Sequence, residues 1–295
     1  MASNNALVLI DMSNFIHRSF HSLSPEKFRN ENNEATNALY GTLNLVLNVI
    51  STIQKEYQYV TPVACFDTAK SKLSRMSIDE NYKSQRPSAP RELKHQFEWV
   101  RTLIDTMQIA NVAMDSCEAD DVIASICHKY NTNYSSVIIV STDKDFCQCL
   151  TKDNVKIYNI VKKEFVTAND VYEKYKVIPK YFTLYQALVG DKVDNISGVK
   201  GIGPKIAPVL VNQAQGEYSK LLELAREDRL PKNKSKLICD NEEVLNKSLQ
   251  LVTLSTNLNI ENNFRFFEVK SLKTNVSFKN FIRKMNFMST LQKYC

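Results

Sequence analysis

An α/β fold around a mostly parallel sheet is what this 295-residue chain predicts, on three observations. First, three short apolar runs, Leu7–Ile10, Val63–Phe66 and Val137–Val140, are of the continuous kind that suits strands buried on both faces. Second, amphipathic helical stretches separate them, giving right-handed β-α-β crossovers between parallel strands. Third, each run finishes in aspartate: Asp11, Asp67, and Asp143 with Asp145. Ligands of open α/β sheets sit outside the carboxyl ends of the strands. Three such strands side by side would therefore gather these acids at one edge, as a site for a cation.

Between the first two runs, Asn37 to Tyr57 carries Leu39, Leu43, Val46, Ile50 and Ile53 at three- and four-residue steps, predicting a helix. Phe97, Val100, Ile104 and Met107 mark a second helix, and Glu118 to Tyr130 a third that leads into the Val137 strand. Two segments interrupt the alternation. Thr68 to Lys94 holds seven Lys/Arg, among them Lys70, Lys72 and Arg75, against three Asp/Glu, and contains the turn-forming Arg86-Pro-Ser-Ala-Pro90. A long polar insertion at a strand's carboxyl end is a functional loop or lid, a solvated linker, or disordered. Tyr82 beside Lys83 and Arg86 favours function, since an aromatic among bases can stack a nucleobase while the cations hold phosphates. The second interruption, Gly190 to Gly203, contains four of the chain's six glycines. There Gly201-Ile-Gly203 precedes Pro204, a good first helical residue, and Lys205, so a helix is expected to open with its N–H groups facing an anion.

From Gln213 to about Asn259 the composition is helical and basic, with Arg226, Arg229, Lys232, Lys234 and Lys236. The expected division is 1–176 for the α/β domain, 177–259 for a small helical domain, and 260–295 for a tail. In the tail, Phe264 to Val269 reads as a strand or extended segment and Phe278 to Tyr294 as one helix returning to the main domain.

Lys and Arg total 38 against 32 Asp and Glu, a net charge of +6. Setting nine carboxylates aside for a cation site leaves 23 acids, so the remaining surface has an excess of 15 positive charges. An acidic pocket on a basic body points to a polyanionic substrate, although charge alone is equally compatible with solvated lysines. No apolar run approaches the roughly 18 residues of a membrane span, and no signal peptide is evident. Seven scattered cysteines fit a reducing, cytoplasmic setting. Cys147-x-Cys149 has no second ligand pair, so packing is expected there and not zinc. His17, His21, His95 and His128 have no nucleophile partner, and neither a G-x-S-x-G elbow nor a Walker motif occurs.

Two further acidic clusters join the strand ends: Glu118-Ala-Asp120-Asp121 and the pair Asp191 and Asp194. Members three apart share a helix face. Taken singly, each is better explained by helix capping; their number makes the case. Nine gathered like charges need relief, and hard divalent ions with oxygen ligands supply it. Carboxylates holding two Mg²⁺ ions about 4 Å apart are the arrangement for in-line attack at phosphorus.

Several motifs together resemble the 5′-nuclease (flap endonuclease) superfamily, in particular the 5′→3′ exonuclease domain of bacterial DNA polymerase I and its stand-alone phage relatives. They are Asp11-Met-Ser-Asn14 with Arg18-Ser-Phe-His21, Phe66-Asp67, Tyr82-Lys83-x-x-Arg86, Glu118-Ala-Asp-Asp-Val122, Ser141-Thr-Asp-Lys-Asp145 and the Gly190–Gly203 segment. The match runs in order over nearly the whole chain. It implies a PIN-like nuclease domain bearing a helix-three-turn-helix module, a monomer acting on DNA with a 5′ flap, nick or free 5′ end, with RNA primers in RNA–DNA hybrids as further substrates. By position, Asp11, Asp67, Glu118, Asp120 and Asp143 correspond to ligands of a first metal, and Asp145, Asp191 and Asp194 to those of a second, with Asp121 in support. Mg²⁺ is the implied ion and Mn²⁺ a substitute. The 68–94 insertion corresponds to the family's arch, with Lys83 and Arg86 on the scissile phosphate, Tyr82 on a base, and Lys70, Lys72 and Arg75 among the DNA contacts. Gly198, Lys200, Gly201, Gly203 and Lys205 correspond to the turn that grips duplex backbone, where a K⁺ is sometimes held.

The chain departs from the family at Met12, where relatives have glycine, at Ser197, where they have proline, and at Pro208, expected to bend the helix after the glycine turn. With no polymerase segment after Cys295, a polymerase, clamp or single-strand-binding protein is expected as a separate partner. Two other readings stay open on the residues: a catalytically silent DNA-binding paralogue, against which every family acid is present, and a PIN-type ribonuclease of single-stranded RNA, which would not need the glycine turn.

Overall fold

The three apolar runs form the centre of one sheet. β1 (Asn5–Asp11), β2 (Tyr59–Cys65), β3 (Ala110–Val112), β4 (Ser136–Val140), β5 (Val155–Asn159) and β6 (Glu164–Val166) are ordered β3-β2-β1-β4-β5-β6. Only β6 is antiparallel. Leu9 lies level with Val63 on one side and with Ile139 on the other, so β1, β2 and β4 finish at one edge and Asp11, Asp67 and Asp143 emerge together. The structure, a computed structural model, describes residues 4–68, 74–231, 233–260 and 264–294. Lys70, Lys72 and Lys232 lie outside the described residues.

Successive strand residues point to opposite faces, and each face has its own core. Ala6, Val8, Ile10, Ile138 and Val140 join the layer of α1 (Met12–Ser22), α2 (Asn37–Ile53) and α3 (Arg91–Thr106). Leu7, Leu9, Val137 and Ile139 join α4 (Ala119–Tyr130) and a helical body on the other side. That body comprises α6 (Phe182–Val189), α7 (Ala207–Gln213), α8 (Tyr218–Arg226), α9 (Lys234–Asp240) and α10 (Glu242–Val252). The remaining helix before it, α5 (Ala168–Tyr175), carries a capping box of Thr167 and Asp170. Met12 begins α1 and is fully buried. Among the described residues no helix is long and apolar enough to cross a membrane.

The tail is extended from Phe264, with Phe267 N donating to Val60 O at 3.1 Å, but it adds no strand. The single helix expected over 278–294 is two, α11 (Val276–Lys284) and α12 (Met288–Tyr294). Asn286 stands at φ +60 and Phe287 N closes back on Ile282 O. A left-handed asparagine with that bond is a helix stop, and the period of the apolar residues does not register it.

The glycine segment also differs from expectation. The helix opens at Ala207 and not at Pro204, because Gly203–Ile206 is a separate turn whose carbonyl at Gly203 accepts from Ile206 N and Ala207 N. Pro208 therefore falls in the first turn, where a missing N–H costs nothing, and it bends no helix. Gly190 and Gly198 (φ +79 and +63) bring two backbones into direct contact: a Cβ on Gly198 would lie 2.5 Å from Gly190 N. Gly198→Ala is expected to lower stability by at least about 1–2 kcal/mol, the scale of a left-handed non-glycine residue. Urea denaturation measures it, and an unchanged midpoint would show that the turn opens without cost.

Candidate metal centre and nucleic-acid interface

The strand-end acids are held by hydroxyls, amides and backbone N–H groups. Asp11 caps α1, accepting from Asn14 N at 3.0 Å and from Ser141 Oγ at 2.8 Å. Asp67, two residues past β2, accepts from Ala119 N at 2.8 Å and from Ser13 Oγ. Asp143 accepts from Asp145 N at 2.9 Å at the start of the short 3₁₀ helix Lys144–Cys149. Gln186 Nε2 on α6 donates to Asp145 at 2.6 Å.

Burial and mutual repulsion act on this group. Asp11 is pushed up to about 7, mainly by burial, then by Asp67 and Asp143. Asp120, in the first turn of α4, is raised well above the ordinary range by burial and by Asp11, Asp143 and Asp67. Asp145 is pushed up to about 8 by burial and then by Asp143. Asp143 is thus the common neighbour of Asp11, Asp120 and Asp145.

The other four acids are met by cations. Glu118 accepts from Arg75 Nη1 at 2.7 Å, from the Tyr82 hydroxyl at 2.9 Å and from Lys83 Nζ. Burial would raise Glu118, but Lys83 and Arg75 outweigh it and hold the carboxyl below its ordinary range. Asp121 takes two bonds from Arg75, at 2.6 and 2.8 Å. Arg86 pairs with Asp194, which Lys83 also approaches to 3.6 Å. Lys144 Nζ lies 2.7 Å from Asp191; burial opposes the charge there too, and the lysine wins, keeping Asp191 low. Glu118 and Asp121 do share a face, and it grips Arg75, whereas Asp120 stands among the strand-end acids.

The described part of the insertion folds onto the acids. Tyr82 and Lys83 are buried, Lys83 at φ +54. Lys83 N donates to Asp194 O at 3.0 Å, Asn195 Nδ2 to Asn81 O at 2.9 Å, and Gln85 Nε2 to Asn195 at 3.1 Å. Tyr82, expected to stack on a base, here turns its hydroxyl onto Glu118. Arg75, expected at DNA, is 7% exposed and bonded internally. Lys200 and Lys205 are exposed beside Gly201 and Gly203, whereas Gly198 is buried. Residue reading missed Ser13, Ser141, Gln186 and Asn195. Ser13, Ser141 and Asn195 lie inside the motifs that carry the family resemblance, and Gln186 is the lone amide in the otherwise apolar run Leu184–Val189.

The donor chemistry fits divalent ions. The gathered donors are hard oxygens, and their raised proton affinities report charge that a cation would relieve. Two buried acceptors beside them, Asn14 Oδ1 and Gln186 Oε1, have no partner among the described residues, as suits groups that meet the water shell Mg²⁺ retains. Among the described residues no group of three acidic, histidine or cysteine side chains is gathered closely enough to hold an ion by direct contacts alone.

Residues 6–176 match the family model of the 5′-3′ exonuclease N-terminal, resolvase-like domain, and residues 177–275 that of the 5′-3′ exonuclease C-terminal SAM fold. A 5′-3′ exonuclease of Aquifex aeolicus is 35% identical over 255 residues, covering 86% of this chain and 83% of that protein. Flap endonuclease Xni of Pseudoalteromonas translucida is 30% identical, covering 91% and 98%. Against DNA polymerase I of Rhizobium leguminosarum the match is 32% identical, and the chain spans 26% of that larger protein. Among solved structures, the T5 D15 protein co-crystallised with metal ions superposes with TM-score 0.66 at 21% identity, covering 97% and 99%. The same T5 flap endonuclease in complex with DNA and metal ions gives 0.64 at 19%, covering 98% and 98%. The chain belongs to the 5′-3′ exonuclease family, nucleases that hydrolyse phosphodiester bonds.

A pH dependence follows from the raised acids. A carboxyl whose folded value exceeds its unfolded one binds more protons when folded, so its contribution to stability is lost as pH rises through the folded value. His17, lowered by burial, acts in the opposite sense only below its ordinary 6.5. Between pH 6.5 and 8 the melting temperature in chelator is expected to fall, through Asp11 at about 7 and Asp145 at about 8. Calorimetry checks this, and a flat or rising profile would show that these acids are not crowded.

Proposed function

We propose that the protein is a Mg²⁺-dependent, structure-specific 5′ nuclease, cleaving DNA at flaps, nicks or free 5′ ends and acting also on RNA primers in RNA–DNA hybrids. The observation that carries this reading is the mutually repelling set of buried Asp11 and half-buried Asp120, Asp143 and Asp145 at the carboxyl edge of the sheet, with the arch cations Lys83 and Arg86 on Glu118 and Asp194 beside it. Asp11, Asp67, Glu118, Asp120 and Asp143 would hold one ion, and Asp145, Asp191 and Asp194 a second, with Mn²⁺ able to substitute. When bound, the ions supply Lewis-acid activation of water and neutralise charge at phosphorus.

The chain's own residues do the rest. Lys83 and Arg86, now on Glu118 and Asp194, are placed to exchange those carboxylates for the scissile phosphate, and Tyr82 to leave Glu118 for a base. Lys200, Lys205 and the turn through exposed Gly201 and half-buried Gly203 hold the duplex, with K⁺ bound at the same turn. The solved T5 flap endonuclease of the same fold, crystallised with DNA and metal ions, supports DNA as substrate and a divalent metal. A replicative polymerase, clamp or single-strand-binding protein would be a separate partner.

Asp143→Asn tests the metal assignment. Cleavage of end-labelled flap DNA in Mg²⁺ should fall by more than about a hundredfold, beyond the usual effect of losing an outer-sphere partner, while binding in chelator is retained. Equal cleavage would refute the assignment. For the duplex grip, Lys205→Ala should weaken binding regardless of sequence and reduce the slope of log K against log salt by about 1. An unchanged slope would remove Lys205 from the interface.

A further inference from the structure

The guanidinium of Arg75 uses every N–H it has. Nε donates to Leu251 O at 2.8 Å and Nη2 to Thr253 O at 2.9 Å. Nη1 donates to Glu118 at 2.7 Å and to Asp121 at 2.6 Å, and Nη2 to the second Asp121 oxygen at 2.8 Å. An arginine has five donors, and here all five find acceptors on elements far apart in sequence. Three acceptors, one oxygen of Glu118 and both of Asp121, belong to the acidic turn that begins α4. Two are carbonyls at the end of α10 and just beyond it. The backbone of Arg75 belongs to the base of the insertion, its carbonyl accepting from Ile78 N and Asp79 N at 3.1 Å each. Ser255 N adds a bond to Asp121 at 2.8 Å.

We infer that Arg75 is a positioning residue for the nuclease centre: its fork fixes the Glu118–Asp121 turn so that Asp120 stands against Asp11 and Asp143. The inference rests on the metal-dependent reading above. Three acids within four residues repel one another, and a turn free to respond would spread them towards water. Arg75 takes the two on one face and leaves Asp120 to the other side. It also ties that turn to the segment leaving α10, so the acid cluster, the insertion and the helical body share one fixed point. A lysine cannot reproduce this, since it keeps the charge but has three donors and no planar fork.

Charge and geometry separate experimentally with two variants that both conserve net charge. Arg75→Lys keeps the cation. Arg75→Met combined with Asp121→Asn removes a buried cation and a buried anion together, so neither is left unpaired. Simple Coulomb effects therefore predict little change in either. Mn²⁺ binding to the full chain without DNA is measured by titration calorimetry, with circular dichroism confirming the fold, alongside kcat and KM on 5′-flap DNA in Mg²⁺. Both variants are expected to bind Mn²⁺ about ten- to a hundredfold more weakly, the range for residues that orient metal ligands, with kcat lowered and KM unchanged. Wild-type Mn²⁺ affinity in either folded variant, or a loss confined to KM, overturns the role given to Arg75. A wild-type protein that binds no Mn²⁺ overturns the metal reading itself, and this inference with it.

Discussion

The repulsion among carboxylates at the edge of the sheet is the constraint on which the rest depends. Parallel register leaves no choice about where Asp11, Asp67 and Asp143 emerge: β1 is level with both neighbours, and the apolar runs that drive the strands together also drive their terminal acids together. Burial then raises Asp11, Asp120 and Asp145. Moving the acids apart would mean slipping the strands, and a slip of one residue would turn the apolar residues from one core to the other. The acid crowding is thus sustained by the hydrophobic cores on both faces of the sheet.

The protein relieves only part of this charge. Glu118, Asp121, Asp191 and Asp194 receive Arg75, Lys83, Arg86 and Lys144. Asp11, Asp67, Asp143 and Asp145 receive hydroxyls, a side-chain amide and backbone N–H groups, which stabilise an anion without neutralising it. The division follows the architecture. Acids at the strand ends face the open edge, whereas the cation-paired acids lie at the start of α4 and after α6, where the insertion supplies Arg75, Lys83 and Arg86 and the turn after β4 supplies Lys144.

Much of this was legible in the sequence, for a definite reason. Strands such as Leu7–Asp11 and helices such as Asn37–Ile53 are dictated by local periodicity, and the acids at their ends are placed by the topology that periodicity implies. What could not be read depends on contacts between distant residues. Arg75 sits in a basic insertion and reads as a phosphate ligand; its partners lie 43, 46 and 176 residues away, and no local pattern announces them. Asn286 ends α11 through its backbone conformation, where side-chain spacing continues unbroken. Pro204 reads as the first helical residue and Pro208 as a bend inside the helix, and both readings are overturned by the Gly203 carbonyl, which closes a separate turn before α7.

The four inward-facing cations also change what the charge composition means. Removing them along with the nine acids leaves 34 bases against 23 acids, still a strongly basic surface. The cations nearest the site are committed to carboxylates, however, and separating a buried pair by removing one partner costs several kcal/mol because a charge is left bare. Buried Lys83 can therefore turn to a phosphate at low cost only if something else takes over Glu118 as it leaves, whereas exposed Arg86 leaves Asp194 more cheaply. On the proposed reading a divalent ion does that, while the phosphate receives the released cations. Ion and substrate then favour one another's arrival through exchange of partners at the same carboxylates, which couples cleavage to the presence of both without any separate sensor.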